Sequence, residues 1–301
     1  MRDKYRGSLL GAAIGDALGM PGETGPSMLR NMKLGFRRAW KVHPNAQLRP
    51  GQFTDDTQMM LIVARLMAEK AYSRTRYREE LARLCAARLL RFPDFAVAKA
   101  CSSLCAGRGD ETGDPSPTAG CVNLGLPFAL ACPDAKALKE QLIGACTVTH
   151  THPAAHTGAL AFAVLIRSAL RGSRNAPAMA HREAATMDEP LAERIAWAME
   201  LEEGGHSPEA AFSAIGNDSS VYRTLPLAWF LIQRYPDPGR LLDVAANLGG
   251  NCDTIGFICG AYAGALQGAR ALPPALLEGV EMREEIESIA ERLFMHYAEK
   301  N

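Results

Sequence analysis

Apolar residues recur at i, i+3 and i+4 from one end of the chain to the other, whereas the period-two runs of β-branched and aromatic residues that mark strands hardly occur. The pattern predicts an all-α protein, with helices over 6–19, 54–71, 76–91, 94–106, 119–132, 134–147, 153–171, 190–203, 207–215, 218–235, 239–248, 253–270 and 281–298. None of these sustains a heptad, and no segment repeats at a fixed period, so coiled coils and solenoids are excluded. Segments rich in Gly and Pro at 21–27, 43–53, 107–118, 171–178 and 235–239 read as connections. They are spread evenly and none reads as an interdomain linker. Residues 1–301 are therefore expected to form a single compact domain of about a dozen packed short helices. The Arg108-Gly109-Asp110 triplet in the 107–118 connection reads as chance.

Composition narrows the function classes. The chain has 301 residues, 48% of them hydrophobic, and balances 33 Lys and Arg against 33 Asp and Glu. No basic stripe interleaved with aromatics runs along a predicted face, so the footprint of a nucleic-acid partner is missing and a small or neutral partner is expected. The apolar run behind Met1–Arg6 contains Asp16 and lacks a signal-peptide cleavage pattern. The apolar stretch at 255–266 is shorter than the ~20 residues a bilayer span needs. A soluble protein with no membrane partner is expected. Eight cysteines occur without a Cys-x-x-Cys pair, and Cys85, Cys101, Cys105, Cys132 and Cys259 fall inside apolar helical patterns. They are expected to be reduced, buried small hydrophobes, which points to the cytoplasm. The oligomeric state is not set by any of these features.

Three clusters carry chemistry. In Gly15-Asp16-Ala17-Leu18-Gly19-Met20-Pro21-Gly22-Glu23, Asp16 falls in a closely packing apolar helix and must find a partner. Pro21 and Gly22 then end that helix and present Glu23 from a loop. In Phe53-Thr54-Asp55-Asp56-Thr57-Gln58, Thr54 can cap a helix whose first turn holds two acids, favourable at the positive end of the helix dipole. The same three residues offer oxygen donors in different directions, suited to Mg²⁺ or Mn²⁺ more than to zinc. In Gly249-Gly250-Asn251-Cys252-Asp253-Thr254, the glycines break one helix and Asn251 or Asp253 caps the next, whose Gly256, Gly260 and Gly264 form a ridge for close packing. Two such helix starts face to face would crowd several carboxylates, a situation that needs a cation. A fourth patch, Thr149-His150-Thr151-His152-Pro153-Ala154-Ala155-His156, offers three histidines to a zinc site, but Pro153 at a helix N1 position splits the set. One of these histidines lining a pocket is the better expectation.

Together these motifs resemble the ADP-ribosylglycohydrolase family, through Gly11–Gly19 with Glu23, Phe53–Met59, Thr149-His150 and Asn247–Ile255, in order and spacing from residue 6 to about residue 270. The resemblance implies an all-α fold around a binuclear Mg²⁺ or Mn²⁺ centre held by Thr54, Asp55, Asp56, Asp253 and Thr254, with Asn251 at its edge. It implies Glu23 and Asp55 as catalytic residues and His150 at the substrate end of the cleft. The reaction implied is hydrolysis at C1″ of a ribose in an ADP-ribosylated protein or a small nucleoside-like molecule, through an oxocarbenium-like state. A non-catalytic binding or structural relative is the alternative.

Two departures from the family pattern qualify that reading. The Asp-x-Asp-Thr segment of the family begins here with Asn251, whose amide offers an oxygen but no charge, so the second ion is expected to bind more weakly. The family's Asn-Gly-x-x-Met-Arg phosphate loop reads Ala119-Gly120-Cys121-Val122-Asn123-Leu124 here, leaving Gly120 as its remaining substrate-binding element.

Overall fold

In a computed structural model that describes residues 1–29, 34–109 and 111–298, fifteen α-helices follow one another. They are α1 (Arg2–Gly19), α2 (Asp55–Ala68), α3 (Arg74–Ala86), α4 (Phe95–Cys105), α5 (Gly125–Ala131), α6 (Ala135–Cys146), α7 (Pro153–Leu170), α8 (Ala176–Ala185), α9 (Glu189–Glu203), α10 (Pro208–Ile215), α11 (Val221–Arg234), α12 (Pro238–Ala246), α13 (Cys252–Gln267), α14 (Pro274–Gly279) and α15 (Arg283–Tyr297). Pairing between extended segments is limited, among the described residues, to two isolated bridges, Asp114 with His150 and Thr118 with Ser220. The all-α expectation holds. Asp110 of the Arg-Gly-Asp triplet lies outside the described residues.

The glycine ridge of α13 finds its partner at the other end of the chain. A Cβ on Gly256 would lie 2.3 Å from the carbonyl of Gly15, one on Gly260 2.0 Å from that of Gly11, and one on Gly264 1.9 Å from that of Gly7. The reverse contacts are as close, with Gly15 facing Gly256 and Gly19 facing Cys252 and Asp253. Side chains are thus excluded along the whole antiparallel seam, and the two backbones touch. The seam sets the first turn of α13 against the last turn of α1, so Asp253 and Asp16 are neighbours because of glycines up to three turns away.

The remaining helices close around this pair, with α7 crossing the interior. By length and composition α7 could cross a membrane, but 78% of its apolar window is buried inside the molecule. Seven helix starts among the described residues are capped by the side chain before them: Ser73, Asp94, Asp134, Asp188, Ser207 and Asp237 each accept the N3 amide hydrogen, and His152 accepts the N2 hydrogen of α7.

Three expectations are corrected. The 171–178 connection ends early, because Pro177 falls in the first turn of α8, where a proline starts a helix without losing a bond. The helix expected over 119–132 begins only at Gly125, after a 3-10 turn at Val122–Leu124. Cys85 and Cys101 are joined by a disulfide between α3 and α4, and Cys105 is exposed, so these three are not the buried reduced thiols that their apolar surroundings suggested.

Candidate active site

The carboxylate of Asp16 sits wholly buried at the centre of the molecule and is saturated by α2. Its Oδ1 accepts from Thr54 N and Thr54 Oγ1, both at 2.9 Å, and its Oδ2 from Thr57 N at 3.0 Å and Thr57 Oγ1 at 2.6 Å. Thr54 was expected to cap α2 with its own hydroxyl. Instead the hydroxyl donates to Asp16, and Asp16, thirty-eight residues earlier, caps the helix from outside by accepting the N3 hydrogen of Thr57. Four donors fix α2 against α1, and that orientation aims Asp55 and Asp56 into a well.

The well is lined by Glu23, Asp55, Asp56, Phe92, Asp94, Gly120, Ser219, Asn251, Asp253 and Thr254 and has a volume of about 20 Å³, room for roughly one water-sized body. Three hydrogen bonds order it. Thr254 Oγ1 donates to Asp56 Oδ2 at 2.7 Å, Asn123 Nδ2 donates to Asp56 Oδ1 at 2.7 Å, and Thr254 N donates to Asp253 Oδ1 at 2.8 Å. The Glu23 loop is docked by Gly249 and Gly250, which both have positive φ, with Thr24 N donating to Gly250 O at 2.8 Å and Gly250 N to Gly25 O at 3.0 Å. A Cβ at Gly249 would lie 2.5 Å from Gly25 O, so neither conformation nor space admits another residue.

So many acids in one buried place repel one another. Asp16, Asp56 and Asp253 are each pushed up to about 7, first by burial and then by a neighbouring carboxylate. Glu23 and Asp55 are held well above the ordinary range by burial first, then by the charges of Asp253 and Asp56 respectively. Asp94 is the exception. Burial raises it, but its bonds to His150, Thr118 and the Val97 amide outweigh burial and bring it below its ordinary value.

Seven of the sequence-derived residues meet at this well: Glu23, Asp55, Asp56, Gly120, Asn251, Asp253 and Thr254. Two lie one layer behind. Thr54 is spent on Asp16. His150 is fully buried, its Nδ1 at 2.9 Å from Thr149 Oγ1 and its Nε2 at 2.9 Å from Thr118 Oγ1 and 3.5 Å from Asp94 Oδ2. It backs Asp94 instead of forming the cleft wall. Burial lowers its imidazole, while Cys121 and Asp94 outweigh burial and push it up to about 10. Cys121 is itself driven well above its ordinary value by burial and stays a neutral thiol, so the charge His150 faces is that of Asp94. The other two histidines have local partners: His152 Nδ1 accepts from Ala154 N, and His156 Nε2 lies 2.7 Å from His150 O.

Asp94 and Asn123 escaped the sequence reading for different reasons. Asp94 opens a predicted helix and its Oδ1 caps it, accepting from Val97 N at 2.8 Å. That visible role hides its place in the lining of the well and the approach of His150 Nε2 to Oδ2 at 3.5 Å. Asn123 lies inside the altered phosphate loop, and it reaches inward to hold Asp56. Gly120 lies against Asp94, since a Cβ there would be 2.4 Å from Asp94 Oδ2. We expect Gly120→Ala to displace the Asp94 carboxylate and lower turnover on the order of 10²-fold with little change in thermal midpoint. Steady-state kinetics beside a melting curve checks this; unchanged kinetics would mean that Asp94 has no part in the reaction.

The donor set suits a hard cation. Among the described residues, no three His, Cys, Asp or Glu side chains form a ready-made ligand group. Yet Glu23 Oε2 and Asn123 Oδ1 are buried without a hydrogen-bond partner, and the hydroxyl oxygens of Thr54 and Thr254 keep their lone pairs because both hydroxyls act as donors. Oxygen donors, excess negative charge and orphaned acceptors fit Mg²⁺ or Mn²⁺.

The family model described as ADP-ribosylglycohydrolase matches residues 1–301. An uncharacterised protein of Archaeoglobus fulgidus is 33% identical over 98% of this chain and 97% of its own. The ADP-ribosyl-[dinitrogen reductase] glycohydrolase of Rhodospirillum rubrum is 26% identical over 95% of this chain and 93% of its own. Among solved structures, an ADP-ribosylglycohydrolase-related protein complex superposes with a TM-score of 0.80 over 98% of both chains at 24% identity, which shows a shared fold.

Proposed function

Since this chain belongs to the ADP-ribosylglycohydrolase family, whose enzymes hydrolyse a glycosidic bond, we propose that it cleaves the bond at C1″ of a ribose in an ADP-ribosylated protein or small molecule, with divalent cations in the acid well. The observation that carries this reading is the well itself: buried carboxyls from α2, α13 and two loops converge with orphaned oxygens and no basic side chain in the lining. An arrangement so costly to stability belongs to a site of function.

Asp55, Asp56, Asp253 and Thr254 would hold the cations, with Thr54 and Asn251 at the margins. When bound, Mg²⁺ or Mn²⁺ would supply Lewis acidity and a template for ribose hydroxyls. Glu23 is the residue placed to move the proton. Burial and the charge of Asp253 favour the protonated form of its carboxyl, and Oε2 is placed to donate to the leaving atom and afterwards to take a proton from water. Asp94, kept ionised by His150 and Thr118, places negative charge where positive charge develops at C1″. The test is release of ADP-ribose from ADP-ribosylated substrates with Mg²⁺ or Mn²⁺, alongside calorimetric titration of the metal-loaded protein with ADP-ribose and with plain ribonucleosides. Neither turnover nor binding with either metal would overturn the reading.

Asn251 decides the second ion. Its Nδ2 donates to Thr224 Oγ1 at 2.9 Å, and the Thr224 hydroxyl donates onward to Asp218 O at 2.9 Å, so an amide suits this position in the protein without metal. In Asn251→Asp, two oxygens would face each other without a hydrogen between them, at a cost of about 1–3 kcal/mol. We expect the variant to melt lower without metal and to take up a second Mn²⁺ more tightly than wild type in calorimetry. Unchanged affinity would remove Asn251 from the metal site.

A further inference from the structure

A second cavity opens on the far side of Glu23, about 820 Å³ in volume, and Glu23 is the one residue lining both it and the acid well. Its size is that of a pocket for a small molecule. Its chemistry is the opposite of the well's. Arg37, Arg38, Lys41 and His43 line it, and Glu23 is its one acid. Among the described residues, neither arginine nor Lys41 makes an ion pair, so their charge is not already spent. Trp40 lies between them with 69% of its surface exposed.

The loop is tied to the backbone of the residue it adjoins. His43 Nδ1 accepts from Asn45 N at 3.0 Å, which leaves the proton on Nε2, and Nε2 donates to Glu23 O at 3.1 Å. The basic loop and the proposed acid/base residue therefore form one unit.

On the reading that Glu23 acts at the glycosidic bond with the ribose over the mouth of the acid well, whatever lies beyond Glu23 is bonded to C1″ from the other side. We infer that the 37–44 loop forms the leaving-group subsite and that it selects leaving groups bearing phosphate or carboxylate over the cationic guanidinium of arginine. Three uncompensated cations attract the first class and repel the second. In the favoured case, cleavage of an ADP-ribosyl 1″-phosphate, the C1″–O bond breaks and phosphate leaves with the bonding pair. Glu23 gives its proton to that phosphate oxygen, a water oxygen bonds to C1″, and the proton the water gives up returns to Glu23.

Trp40 reports on the cavity, because Trp229 is fully buried and Trp197 is half-buried under Arg194. Titration with phenyl phosphate should quench Trp40 saturably in wild type and equally in Asp55→Asn. The affinity should fall about tenfold or more in Lys41→Glu and further in Arg37→Ala/Arg38→Ala. ADP-ribose, which has no leaving group, should not displace the probe. Absence of quenching in wild type would overturn the inference. So would quenching lost in Asp55→Asn but kept in the basic-loop variants, since the probe would then occupy the acid well, or displacement by ADP-ribose, since the cavity would then hold the ADP half of the substrate. In turnover, kcat/KM should favour ADP-ribose 1″-phosphate over ADP-ribosylarginine, and Lys41→Glu should collapse that ratio; an equal loss on both substrates would overturn selectivity by charge. If neither substrate is cleaved, the hydrolase reading fails, while quenching still decides whether the cavity binds anions.

Discussion

Asp55→Asn is expected to abolish turnover and yet make the metal-free protein more stable at pH 8. Asp55 is proposed as a direct metal ligand; removal of a residue that only orients a ligand costs 10–100-fold, so loss of the ligand itself should cost on the order of 10³-fold or more. The stability change has the opposite sign. Asp55 is buried beside Asp56, Asp94 and Asp253, and burial followed by these charges raises its carboxyl well above the ordinary range. The isosteric amide removes that repulsion and should stabilise the metal-free protein by about 1–3 kcal/mol in denaturant titrations with EDTA. Asp253→Asn should lose turnover equally but gain less stability, because Asp253 Oδ1 already accepts from Thr254 N at 2.8 Å. A residue kept for packing would give the reverse signs. Turnover within tenfold of wild type, or a metal-free Asp55→Asn that melts lower, would take Asp55 out of the proposed centre.

That opposition of function and stability explains which parts of the site were legible in the sequence. Glu23, Asp55, Asp56 and Asp253 stand out because acids at helix ends and starts beside apolar runs are conspicuous, and the glycines of α13 announce a close contact. What the pattern does not carry is the partner. Gly7, Gly11 and Gly15 lie in an ordinary apolar helix, and only the fold sets them against Gly264, Gly260 and Gly256. Asp16 was expected to need a partner near the interior. That the partner is the start of α2, engaged through Thr54 and Thr57, depends on the same seam.

Other misses have local causes. Asp94 is masked by its cap to Val97, a role sufficient to explain an Asp at that position. His150 was expected in the cleft, but its backbone bridge to Asp114 and its bond to Thr118 draw it behind Asp94. The α8 helix was hidden by Pro177, read as a connection residue although it occupies the one helical turn that tolerates it. The disulfide joins residues whose surroundings look like those of any apolar cysteine; only the spatial approach of α3 and α4 distinguishes them.

The acid well also sets how stability should vary with pH. Asp16, Asp56 and Asp253 have ordinary values of 3.8 and are raised to about 7 in the folded protein, so between these values the native state holds protons that the unfolded chain has released. Stability from these groups is full below about pH 4 and is lost as pH rises through about 7. Asp94 and Glu281 are lowered, so they act in the other sense, but their contribution is lost only below the ordinary carboxylate range. From pH 5 to 8 the acid well dominates, and the thermal midpoint of protein held in EDTA should fall by several degrees. Saturating Mg²⁺ or Mn²⁺ should reverse that trend. Cation binding requires the protons to leave, so affinity rises with pH, and a ligand at 100 times its Kd adds about 2.7 kcal/mol of stability. The two melting curves, with and without metal, should therefore lie close together near pH 5 and diverge towards pH 8. A metal-free midpoint that climbs over this range, or one indifferent to both cations at pH 8, would show that the carboxylates are balanced by something other than a metal.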